Sequence, residues 1–433
     1  MIKWFPILAF FILSGCAREK KDFFFTPQKA LFYFHRVEAI CTRDNGKLWG
    51  KNLYGPLMFI DRGSRKICAN EPDSAGILKL KDSVYTASYP KEKIINLTAV
   101  TFGGTLFGMT PVSADQDEYR ITTRSIHSLF HRFQQLSEIP PTSFTLPNMD
   151  EKQARIWLKL EWKALRRAIE SKGEERERCL RDALIFRGAN HETWPRYSVD
   201  EDRFESYEGL ATFTYLLLVA QSQEEFRQHL FENLDRIYAF QSYSRSYGFI
   251  DGALYATLLY EKGFDFKSIR PADQDLGKLT SEVYRIELPR VCRDIAGSIA
   301  FNYDIEQIRL EEGKRLQEIK DRLNEESSTF TDKPVVYIEL ESPYFDFEPE
   351  DVHSLDSLGT LYNAMRVSDN WGKLTVDKGG CLVSNNLKYL RVTAKGFKKE
   401  KNHIYGEGWQ LILNDSWEIA AVKQNYYIRQ RVP

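Results

Sequence analysis

Apolar and polar positions divide this chain into three stretches of different period. From residue 27 to about 112 the pattern is that of strands. An apolar run at 53–61 ends in a turn at Arg62-Gly63-Ser64, and residues 77–82 alternate as a half-buried strand does. Residues 96–102 run through Gly103-Gly104 into 105–109, which reads as a hairpin. From 116 to about 328 the period becomes helical. Residues 126–133 are helix-grade. After a loop at 140–148, Asp150 is placed to cap a long helix with apolar positions Ile156, Leu158, Leu160, Trp162 and Leu165. Further helical stretches are 177–186, 204–220, 224–241 and the short apolar 252–260. Residues 304–324 form a charged surface helix with Leu316, Ile319 and Leu323 on one stripe. From 333 to 433 short strands return, at 335–340, 382–384, 389–393, 409–413 and 417–422, with the turn spacing of a small sandwich or barrel. The expected class is α+β: a helical central domain over 116–328, between a β-rich N-terminal region (17–115) and a small C-terminal β domain (329–433).

With 433 residues the chain can bury full cores, and its 28 Phe, 22 Tyr and 8 Trp speak for packing rather than disorder. Lys plus Arg total 60 against 61 for Asp plus Glu, and no basic block is interleaved with aromatics, so no nucleic-acid partner is expected. The first residues read as a targeting segment: positive Met1-Ile2-Lys3, an apolar run from Trp4 to Leu13, then Ser14-Gly15-Cys16. The run is too short to span a bilayer. Its order resembles a bacterial lipobox, which implies cleavage before Cys16, lipidation of that thiol and an extracytoplasmic body tethered to a membrane. A plain secretory signal with an incidental Cys16 is the alternative. Cys41 and Cys68 flank a β segment and are candidates to pair in an oxidising compartment. Buried packing is the simpler fate for most of the cysteines.

His127 and His131, four apart, share one helix face, as two imidazole ligands of a single zinc ion do. A later segment, Glu205-Ser206-Tyr207-Glu208-Gly209-Leu210-Ala211, opens another helix, and a carboxylate there supplies the third ligand such a site needs. Glu208 suits that role, since Gly209 lets a neighbouring helix come close. Glu205, one turn earlier on roughly the same face, is a candidate to orient a ligand or to be the ligand itself. The plainer alternative is two ordinary helix histidines and a glutamate favoured by the helix dipole. Tyr247 and Tyr255, with Gly248 and Asp251 in an aromatic turn before an apolar helix, are candidate oxyanion donors or simple core residues. Arg187 and His191 read as surface residues or outer supports of a ligand.

Together the motifs resemble the gluzincin class of zinc metallopeptidases, whose pattern is His-Glu-x-x-His on one helix and Glu-Gly-x-Ala on a later one. Here the stretches are His127-Ser128-Leu129-Phe130-His131 and Glu208-Gly209-Leu210-Ala211. Flanking stretches resemble a group of secreted bacterial proteins of the same type: Leu48-Trp49-Gly50, Leu53-Tyr54-Gly55-Pro56, Phe130-His131-Arg132-Phe133-Gln134 and Leu160-Glu161-Trp162-Lys163-Ala164-Leu165, then Tyr362 and Trp371-Gly372. The resemblance implies a zincin-like central domain with Zn2+ held by His127, His131 and Glu208. The departure is Ser128, which stands at the position of the general base. A serine hydroxyl is not appreciably ionised near neutral pH, and general acid–base catalysis is worth on the order of 10²–10⁴-fold. Rescue would need another carboxylate, Glu205 or Glu161. Ser128 as a nucleophile with His131 lacks a partner aspartate. The expected function is therefore a membrane-anchored, metallopeptidase-like lipoprotein that is impaired or inactive and still able to hold zinc. The alternative is a non-enzymatic surface lipoprotein binding a peptide, glycan or protein partner.

Overall fold

The computed structural model describes residues 25–113, 116–139, 145–270, 273–347 and 352–431. The lipidation position Cys16 lies outside them. The fold is mixed α/β with three sheets, and the chain divides into two compact units, Met1–Arg309 and Leu310–Pro433.

The first unit opens with a helix where strands were expected. α1 spans Pro27–Asp44, capped by the Thr26 side chain, which accepts from the Lys29 N–H, and closed by Asn45 in the left-handed region. Its buried residues, Ala30, Tyr33, Phe34, Val37 and Cys41, recur every three to four positions, a helical period hidden by the many aromatics. The sheet follows: β1 (Leu57–Asp61), β2 (Lys66–Ala69), β3 (Lys79–Lys81), β4 (Val84–Ser88), β5 (Thr98–Phe102) and β6 (Thr105–Val112), in spatial order β3-β4-β2-β1-β6-β5. The β5–β6 hairpin forms as its glycine pair predicts. The β3 alternation misleads, because all three of its residues are exposed on a sheet edge. Both faces of β1 are buried. Leu57 and Phe59 join the core shared with the helices, whereas Met58 and Ile60 join a smaller cluster on the other side.

α2, Glu118–Leu136, is capped by Asp117, whose side chain accepts from the Arg120 N–H. It lies against β6, where Gly108 matters: a Cβ there would stand 3.1 Å from backbone atoms of Ser128 and Leu129. α3 is Lys152–Glu170 and α4 is Gly173–Thr193. Asp150 does not cap α3. Its carboxylate instead accepts from the Tyr243 N–H and the Ser242 hydroxyl, 2.6 Å each, tying the start of α3 to a distant loop. The expected single helix over 204–220 is three pieces: α5 (Ser198–Phe204), a π turn (Glu205–Gly209) and α6 (Leu210–Val219). After α7 (Gln223–Tyr238) comes α8 (Tyr247–Glu261), longer than its apolar pattern suggests. Tyr247, Gly248, Asp251 and Tyr255 therefore sit inside a helix and not in a turn. Gly252 explains the packing of α8 on the π turn. A Cβ there would lie 2.1 Å from the Glu205 carbonyl oxygen, and one on Gly209 would lie 2.5 Å from the Gly252 Cα.

In the second unit a seven-stranded and a six-stranded sheet share one core. Val336, Ile338, Leu390 and Val392 come from the first sheet, and Val367, Leu374, Val376 and Leu411 from the second. Trp409 and Trp417 lie in that core, as expected of them. The expected pairing of Cys41 with Cys68 does not form: both thiols are free and buried, the first on the inner face of α1 and the second on β2. Burial pushes them up to about 12 and about 11 respectively, which makes them inert as nucleophiles.

Candidate metal centre

Helical spacing brings the His127 and His131 rings to one face of α2, with Nε2 atoms 2.9 Å apart. Glu208, on the π turn, completes a triangle. Its Oε2 lies 3.1 Å from Nε2 of His127 and 3.3 Å from Nε2 of His131. A circle through three atoms at these separations has a radius of roughly 1.8 Å, shorter than the ~2.0–2.1 Å zinc–imidazole bond. A point one bond length from all three therefore exists just off their plane, leaving a fourth direction of a tetrahedron for another ligand. Oε2 of Glu208 is buried yet has no aligned hydrogen bond, so its lone pairs converge with the imidazole nitrogens on space and not on a donor. The donor set, two imidazoles and a carboxylate, suits a borderline divalent ion such as zinc.

The protonation states fit the same use. Burial pushes His127 down and the neighbouring His131 adds to that, so its imidazole is neutral. Burial works to raise Glu208, whereas a proton on His131 or His127 works to lower it, and the balance falls below the usual carboxylate value, so its oxygen is ionised. Gln134 fixes the tautomer of His131. Its Oε1 is 2.8 Å from Nδ1, and its amide donates to the Tyr207 carbonyl at 3.0 Å, so the oxygen must face the ring. Tyr207 also stacks on His131 with ring centres 4.4 Å apart. Gln134 stands three residues after His131, one helical turn on, a spacing that flags such a partner.

Ser128 turns elsewhere. It is fully buried, its Oγ lies 2.9 Å from Oγ1 of Thr110 on β6, and it donates to the Ser125 carbonyl at 3.0 Å. The other candidates assemble into a separate buried cluster around Arg187. Glu205 does not accompany Glu208, because the extra residue of the π turn breaks the shared face that an α-helix would give. Its Oε2 is 2.6 Å from the Arg187 guanidinium. Arg187, read from sequence as a surface or outer residue, is 5 % exposed and also meets Asp202 at 2.6 Å, Asp251 at 3.5 Å and Glu161 at 3.9 Å. His191 lies 3.3 Å from buried Glu201 at the rim of the same cluster. Tyr255 donates to Oε1 of Glu161 at 2.6 Å, and the Tyr247 hydroxyl is buried without a partner among the described residues. Burial drives Glu161 and Glu205 well above the ordinary carboxylate range, with neighbouring carboxylates adding to it and Arg187 opposing it. Their hydrogen bonds and ion pairs are directed to this cluster.

No family model matches the chain, nor does any curated protein or solved structure.

Proposed function

We propose that this protein binds a divalent transition metal, zinc by preference, through His127, His131 and Glu208, in a zincin-like helical domain of an extracytoplasmic lipoprotein anchored at Cys16, with hydrolytic activity impaired or lost. The observation that carries the reading is the triangle of three ligand atoms at 2.9, 3.1 and 3.3 Å, with the carboxylate oxygen buried and otherwise unsatisfied. A bound zinc ion supplies Lewis acidity and a water of lowered pKa. None of the candidate bases, Ser128, Glu161 and Glu205, is placed among the described residues to use it. Ser128 cannot ionise near neutral pH, and its hydroxyl is committed to Thr110 and Ser125. Glu161 and Glu205 are engaged with Tyr255 and Arg187.

The commitment of Ser128 also favours a second reading, a non-enzymatic surface lipoprotein that binds a peptide, glycan or protein partner and uses the metal to hold α2 against the π turn. Metal content by mass spectrometry, on the form that starts after Cys16, tests the shared premise. The expected result is near-stoichiometric zinc that disappears in the His127→Ala, His131→Ala variant. No metal in either protein after zinc is supplied removes both uses of the site. A peptidase assay on zinc-loaded protein then separates the two readings.

A further inference from the structure

On a face of the histidine helix other than the one that carries His127 and His131, a cavity of about 170 Å³ opens between the segment following α1, the end of α2, the start of α6 and the segment following α8. Its walls are Trp49, Phe130, Phe133, Leu210, Phe266 and Ile269. The Trp49 indole N–H is turned away to Oγ1 of Thr214 at 3.1 Å, so the ring offers only carbon to the cavity. Two exposed lysines, Lys51 and Lys267, line the same cavity, and no acidic residue does. Gly50, at φ +75°, makes the reversal that sends Trp49 inward and Lys51 outward, and the Lys267 stem packs over it. Neither lysine has an ion-pair partner among the described residues.

We propose that this cavity binds a small amphipathic carboxylate, an aryl or short acyl acid whose apolar end fills the aromatic pocket and whose carboxylate meets Lys51 and Lys267. The volume suits such an end group, since a cavity of about 150 Å³ holds a benzene ring. The two exposed lysines among the lining residues supply positive point charges, which a carboxylate matches and a purely apolar ligand does not. The proposal is independent of the metal reading.

The test is calorimetric titration of the full chain with phenylacetate and, separately, with neutral phenylacetamide. Wild type is expected to bind phenylacetate saturably and the amide about tenfold or more weakly. Lys51→Gln with Lys267→Gln, both exposed and harmless to folding, is expected to reduce phenylacetate to the level of the amide. Ile269→Phe, which fills the pocket, is expected to abolish both. Equal affinity for acid and amide, an unchanged affinity in the lysine variant, or no heat in wild type would each overturn the proposal.

Discussion

Gln134 holds the Nδ1 proton of His131: its side-chain oxygen is 2.8 Å from that nitrogen, and its amide is spent on the Tyr207 carbonyl. The arrangement leaves Nε2 of His131 as a lone pair pointing at His127 and Glu208. It also ties the tautomer of His131 on α2 to the backbone of the π turn that carries Glu208.

Gln134→Ala is therefore expected to weaken zinc binding by about 10–100-fold, the usual cost of losing such a support, with little change in fold. Competition with a chromogenic chelator measures it. An affinity equal to wild type would mean that His131 does not ligate through Nε2.

The meeting of His127, His131 and Glu208 was legible in the sequence because it obeys helical geometry. The four-residue spacing of His127 and His131 and the glycine after Glu208 each announce a physical requirement. Glu205 was misplaced for the same reason, since a three-residue spacing predicts a shared face only if the helix is α. The sequence has no mark for the π turn, because the device is a tertiary fit: Gly209 and Gly252 bring two backbones together from residues 43 apart. Arg187 was equally hidden. Its carboxylate partners come from four separate segments, and an arginine on a charged helix reads as surface by default. α1 was missed because its aromatic run looks strand-like until the period is counted.

Arg187→Met should destabilise the protein by about 3–5 kcal/mol, because it takes the guanidinium away from Asp202, Glu205 and Asp251 in a buried cluster. Urea denaturation gives the number. A loss below about 1 kcal/mol would show that the carboxyls are already protonated throughout and need no cation.

Asp251 makes a pH prediction. Burial raises it to about 6 against the opposing Arg187, although the Trp162 indole N–H donates to its Oδ1 at 2.8 Å. Glu161, Glu205, Glu201, His191, Tyr247 and Tyr255 are further titratable groups around it. Because its folded pKa lies above the unfolded value of about 3.9, its contribution is fully present below the latter and is lost as pH rises through about 6. Asp251→Asn keeps an acceptor for Trp162 and removes the titration. Its stability should fall less than wild type's between pH 4 and 7. Parallel profiles for the two proteins would refute the assignment.

Gly252→Ala places a Cβ where the Glu205 carbonyl oxygen stands, 2.1 Å away, so the π turn has to move. The shift is expected to carry Glu208 off the histidines. Zinc affinity should then drop more than it does in Leu259→Ala, a cavity variant lower on the same buried helix that serves as a control for general destabilisation. Equal zinc affinity in the two variants would uncouple the glycine contact from the metal.

Ser128→Glu rebuilds the motif that the two histidines suggest, and it separates a dormant enzyme from a structural site. In this fold residue 128 is fully buried, hydrogen-bonded to Thr110, and its backbone lies against Gly108. A glutamate has no room there without moving β6, and its carboxylate would be buried against the Thr110 hydroxyl and the Gly108 backbone. The expected outcome is a loss of about 2–4 kcal/mol in stability and no peptidase activity, with zinc still bound. Melting curves and a fluorogenic-peptide assay on the same preparation read both quantities. If the variant is as stable as wild type and cleaves peptide, the α2–β6 interface opens to admit a base, and the lost glutamate alone silenced the enzyme.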